Sequence, residues 1–120
     1  MDNDNFYQRV LLPIFEFLKY EWEARGENHS AEILKPEGVM RRLSMKEKSG
    51  EHTFGYLLIA TEIPEHNRVS LLGICSLDNN ADRTESLYMP TDELDEQVVR
   101  GLISDLEYKL ERLKRNRRIR

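Results

Sequence analysis

Cysteine is almost missing from this chain: Cys75 is the one example in 120 residues. A lone cysteine excludes an intramolecular disulfide and a cysteine-based metal site, and it suits a reducing compartment. Cys75 falls in the middle of an apolar, strand-like segment, where a free thiol behaves as a small apolar residue. A nucleophilic thiol would need exposure and an activating base. Long apolar runs are lacking too. The longest aliphatic stretch, Leu57-Leu58-Ile59-Ala60, is far short of the roughly 20 residues that span a bilayer as a helix. The first five residues, Met-Asp-Asn-Asp-Asn, are acidic where an export or transit signal is basic. These absences lead to the expectation of a cytoplasmic protein that stays off membranes.

Catalytic signatures are equally scarce. Phosphate-cradling glycine loops, nucleophile elbows and zinc spacings do not occur. No catalytic residue, cofactor or metal is therefore expected, and the chain leans away from enzymes. Asp78, Asn80 and Asp82 have the first three spacings of a calcium loop. Arg83 then stands where that loop needs glycine, and Met89 where it needs a bidentate glutamate. His29, His52 and His66 fall in or beside turns, and no two are spaced as a helix-borne ligand pair.

What the sequence does have is charge, unevenly placed. The net charge is −4, with 33% of residues charged and 39% hydrophobic. Residues 109–120 hold seven bases (Lys109, Arg112, Lys114, Arg115, Arg117, Arg118, Arg120) and one acid, Glu111. That end is +6, so residues 1–108 carry −10. Such asymmetry speaks to partners rather than to fold. At this length one domain is expected, with a core that needs no staple.

Two helical regions flank a block of strands. Residues 5–25 place Tyr7, Leu11, Ile14, Leu18 and Trp22 at helical spacing. Asp4 or Asn5 can cap the start and Gly26 can end it. Pro13 interrupts the helix, so either it kinks near Arg9 or Pro13 opens the main segment after a short separate piece. Segments 31–35, 39–46, 53–62, 68–77 and 84–89 read as strands, with residues 78–83 as a polar loop. Connections this short imply antiparallel neighbours. The last helix is expected over residues 92–115, with acids at its start, bases at its end and Leu94, Val98, Val99, Leu102, Ile103, Leu106, Leu110 and Leu113 as its stripe. The fold expected is thus α+β: one domain at 1–113, an antiparallel sheet of four to five strands, a kinked N-terminal helix and a long C-terminal one, with 114–120 as a basic tail.

Pairing the two central strands about Glu65 puts Thr53, Gly55, Leu57, Ile59 and Thr61 on one face with Val69, Leu71, Gly73, Cys75 and Leu77. Both faces are then apolar in the middle, whereas a sheet with one wet face alternates. Either the helices cover opposite faces, or both lie on one face and another subunit covers the other. Gly55, Gly73 and Gly101 interrupt regular elements at a cost of roughly 0.5–1 kcal/mol each. They mark a close approach of helix to sheet or a cavity.

In element order, this small acidic helix–sheet–helix plan is similar to the secretion chaperones that work as dimers. The helix those proteins carry between the third and fourth strands has no room at residues 64–67. The function expected is a non-enzymatic protein-interaction module, adaptor or chaperone-like, and homodimeric. Its basic arm (Arg112, Lys114, Arg115, Arg117, Arg118, Arg120) would meet an acidic protein surface. The alternatives are a nucleic-acid accessory protein acting through that arm, and a small-ligand or enzymatic pocket near the three glycines.

Overall fold

A computed structural model describes residues 6–78 and 80–118 of the chain. The expectations placed on Asp4, Asn5 and Arg120, and on the side chains of Asp82, Leu113, Arg117 and Arg118, lie outside the described residues.

Pro13 decides how the chain begins. It lacks an N–H for the carbonyl four residues back and its ring clashes with that turn. The chain answers with a π-helical turn, Tyr7–Leu11, in which the Leu12 N–H donates to the Tyr7 carbonyl five residues earlier. Helix α1, Leu12–Glu23, then starts with Pro13 in its first turn, where no N–H is needed. Ile14, Phe15, Leu18 and Trp22 are its buried stripe. Trp22 Nε1 donates to the Lys46 carbonyl at 2.9 Å, fixing the helix to the sheet.

The sheet is a five-stranded antiparallel meander in the order β1-β2-β3-β4-β5. The strands are β1 His29–Ile33, β2 Met40–Ser49, β3 His52–Ile63, β4 Arg68–Leu77 and β5 Asn80–Pro90. The expected polar loop at 78–83 is instead a tight turn. Asp78 takes φ +52°, a left-handed conformation that Asp tolerates, and β5 begins at Asn80. An irregularity between Cys75 and Ser76 lets β5 carry one extra residue there.

The central register differs from the sequence-based pairing by one residue, which exchanges faces. Pro64–His66 form a 3-10 turn closed by Asn67 at φ +52°, so four residues, not three, separate the strands. Tyr56 therefore faces Cys75, Leu58 faces Gly73, and Leu57 faces Ile74. Gly55 and Gly73 fall on opposite faces.

Helix α2, Glu96–Arg118, starts four residues later than expected because Thr91–Glu93 form a separate 3-10 turn. Asp95 Oδ1 accepts the Val98 N–H at 2.9 Å, the geometry of an N-cap. Val99, Leu102, Ile103, Leu106 and Leu110 are buried. Both helices lie on one face of the sheet. Ion pairs Arg25–Glu107 and Arg100–Glu21, each 2.8 Å, join them side by side. Under them, Leu43, Met45, Phe54, Tyr56, Leu58, Ala60, Val69, Leu71 and Cys75 complete the core. Strand β4 alternates buried and half-buried residues from end to end, the signature of a sheet covered on one side.

Candidate interaction surfaces

The first surface is the sheet face away from the helices. The register lines up four rows across β2, β3, β4 and β5. They are Lys46–Gly55–Ser76–Ala81, Ser44–Leu57–Ile74–Thr84, Arg42–Ile59–Leu72–Ser86 and Met40–Thr61–Ser70–Tyr88. Leu57, Ile59, Leu72 and Ile74 form an apolar square at the centre, each half-buried within the chain. Hydroxyl and small side chains frame the square. Among the described side chains, charge is confined to the margins: Glu32 pairs with Ser44 on the β1 side, while Arg42 and Lys46 flank the square on β2. Arg42 Nη2 reaches Glu37 at 3.1 Å. At the β5 margin Tyr88 stands 58% exposed, with the Arg68 guanidinium 5.4 Å from its ring centre.

Beside the square lies a hollow of about 330 Å³, walled by Leu34, Lys46, Leu57, Ile74, Ser76 and Ala81, with Gly55 in its floor. It is open because Gly55 has no side chain. A β-carbon there would stand 2.9 Å from Ser76 Oγ.

The second surface is the basic end of α2, and here the tail reading needs correction. Lys114 is buried, not solvated. Its ammonium donates to Glu47 Oε1 and Oε2 at 3.0 and 2.9 Å, and lies 4.8 Å from the Phe54 ring centre. Its aliphatic stem follows the apolar stripe of the helix while its head finds a carboxylate at the sheet margin. Lys109 is likewise paired with Glu85 of β5. The folded body thus continues through Lys114. Arg112 and Arg115 are exposed and make no ion pair among the described residues.

A third feature is a shallow groove of about 170 Å³ between α1 and α2. Leu18, Trp22, Met45 and Ile103 form its floor. Its rim is closed on itself by Arg100, which reaches both Glu21 and Glu96, and these bonds raise the guanidinium pKa above its ordinary value. Arg25 Nη1 meets Glu107 Oε1 as a Coulombic contact without hydrogen-bond alignment. Below it Tyr56 packs edge-on to Trp22, with ring centres 5.3 Å apart. Burial, reinforced by the charges of Glu107 and Glu47, pushes the Tyr56 phenol well above the usual tyrosine range.

The three glycines do not converge. Gly73 lies under α2, where a β-carbon would meet Leu106 Cδ1 at 2.6 Å. Gly55 opens onto the other face. Gly101 is exposed, and a β-carbon there meets nothing within 4 Å, so the expected packing of Gly101 against the sheet is corrected. Asp78 does structural work in its turn: Oδ1 accepts the Thr53 N–H and Oδ2 meets His52 Nδ1, both at 2.8 Å. His29 packs edge-on to Trp22, and His66 is exposed. Among the described residues, no three His, Cys, Asp or Glu side chains are grouped to hold a metal ion, and no helix is long and apolar enough to cross a membrane. No known family, no curated protein and no solved structure matches this chain.

Proposed function

We propose that this chain is a cytoplasmic, non-enzymatic protein-interaction module, adaptor or chaperone-like, that works as a homodimer and takes an acidic protein partner at the basic end of α2. The observation that carries this reading is the open sheet face. Four aliphatic side chains at its centre are left half-buried by a chain that covers its other face with two helices. Contiguous apolar surface framed by polar residues is the mark of a protein contact. The basic end adds a second, electrostatic contact through Arg112 and Arg115, with the further bases at 117, 118 and 120 present in the sequence. The acidic remainder of the chain disfavours long tracts of duplex, whose affinity rests on phosphate neutralisation.

Fluorescence anisotropy tests the partner class. A glutamate-rich peptide and a DNA duplex are titrated with the full chain at low and high salt. The peptide is expected to bind, to weaken with salt, and to be lost in Arg112→Glu/Arg115→Glu. Tighter binding of the duplex would transfer the reading to a nucleic-acid accessory protein. Failure of both probes at low salt removes the acidic partner.

A further inference from the structure

We propose that the open sheet face is covered by the same face of a second copy, sheet on sheet, about a two-fold axis perpendicular to the strands. This deepens the interaction-module reading and rests on it.

The dimensions suit a dimer. Five strands about 4.8 Å apart and about ten residues long present roughly 24 by 33 Å, or roughly 800 Å². A standard stable interface buries about 800 Å² on each partner. The centre is free of charge: between Thr53 and Ile63 on β3, and between Ser70 and Ser76 on β4, every side chain of this face is aliphatic, hydroxyl or glycine. Two acidic bodies can therefore meet at this centre, and Glu32, the carboxylate that the register places on this face in the Leu57 row, stands at the β1 margin.

The face is also complementary to itself, as a two-fold contact requires. An axis passing between the Leu57–Ile74 and Ile59–Leu72 pairs exchanges those two rows, so aliphatic meets aliphatic. The same rotation exchanges the two outer rows. Tyr88, the exposed projection of one outer row, comes to lie over the hollow of the other, at Gly55, Ser76 and Ala81. It also brings Glu32, in the Leu57 row, beside Arg42 of the other copy, in the Ile59 row. A rigid aromatic entering a pocket is the usual anchor of such an interface. Both α2 ends remain on the outside, free for the acidic partner.

Light scattering on the full chain at about 100 μM, above typical specific dissociation constants, is expected to give twice the chain mass. Ile59→Arg puts two guanidinium groups close to the axis and should yield a folded monomer. Tyr88→Ala and Gly55→Leu, the first emptying the anchor and the second filling its pocket, should each raise the dissociation constant by about tenfold or more. Far-UV circular dichroism checks that the variants fold. A wild-type monomer overturns both this inference and the homodimer. A dimer that survives all three substitutions overturns this inference alone, because the copies then meet elsewhere. A monomer that loses the glutamate-rich peptide on Ile59→Arg assigns the face to a foreign protein and likewise overturns it.

Discussion

Lys114 Nζ stands 2.9 Å from Glu47 Oε2, joining the last turns of α2 to the second strand across 67 residues of sequence. The lysine side chain is 10% exposed and the glutamate 20%. Charges this far from water stabilise one another, and removing the lysine leaves the Glu47 carboxylate without its ammonium partner; the lysine itself also reaches Glu111 Oε1 at 3.3 Å. Glu47 has His29 Nε2 at 3.7 Å as its remaining neighbour. Lys114→Ala should destabilise the fold by about 3 kcal/mol, and deletion of residues 114–120 should do at least as much. Arg112→Glu/Arg115→Glu, at exposed positions, should stay within about 0.5 kcal/mol per site. Chemical denaturation of the three variants checks the order. Equal midpoints would mean that the Lys114–Glu47 pair contributes nothing to the fold.

The sequence carried a sign of this that charge counting hides. On α2 the buried positions step from Leu102 through Leu106 to Leu110, and four further residues reach Lys114. The helical period places that lysine on the core stripe. A run of bases reads as a solvated end only when the period is ignored. Gly101 was legible by the same wheel: Val99, Leu102 and Ile103 are buried around it, and position 101 turns outward.

The two glycines consequently respond in opposite ways. Gly73 sits in β4 beneath Leu106, which is fully buried. A branched side chain there collides with a helix that cannot retreat freely, so Gly73→Val should cost about 1–3 kcal/mol by overpacking. Gly101 lies mid-helix with open space around it. Gly101→Ala should stabilise by about 0.8–1.0 kcal/mol, the difference in helix propensity. Thermal melts of the two variants should move to either side of the parent. A gain at position 73 would remove the close approach of α2 to the sheet.

The helix–sheet–helix order and the five strands were visible because turn residues punctuate the chain: Gly38, Gly50 and Pro64 each mark a reversal. Strand register was not visible. It depends on whether the turn after Ile63 holds three residues or four, and the left-handed Asn67 settles that. A hydrophobic pattern normally arbitrates, since a slip by one residue throws apolar groups into water. Here Leu57 and Leu58, Ile59 and Ala60, and Leu71 and Leu72 are apolar on both faces, so either register satisfied the pattern. The same ambiguity that hid the register announced the open face. Tyr88 gave no signal of its own, because its projection follows from being at the margin of the sheet.

Tyr56 supplies the pH dependence. Its phenol is buried beside Trp22, and its folded pKa is raised, first by desolvation and then by the negative charges of Glu107 and Glu47. In the unfolded chain the same phenol titrates near pH 10. Below that pH both states hold the proton, so the contribution to stability is complete and constant. Above it the unfolded state releases the proton while the folded state keeps it, and unfolding becomes easier. The slope approaches about 1.4 kcal/mol per pH unit for this one group. Denaturation midpoints measured from pH 8 to 11 should fall more steeply in the parent than in Tyr56→Phe, which has nothing to titrate there. In the folded protein, absorbance at the phenolate band should show one tyrosine that ionises only as the structure is lost. A phenol at position 56 that titrates near pH 10 without unfolding would mean that water reaches it in the folded state.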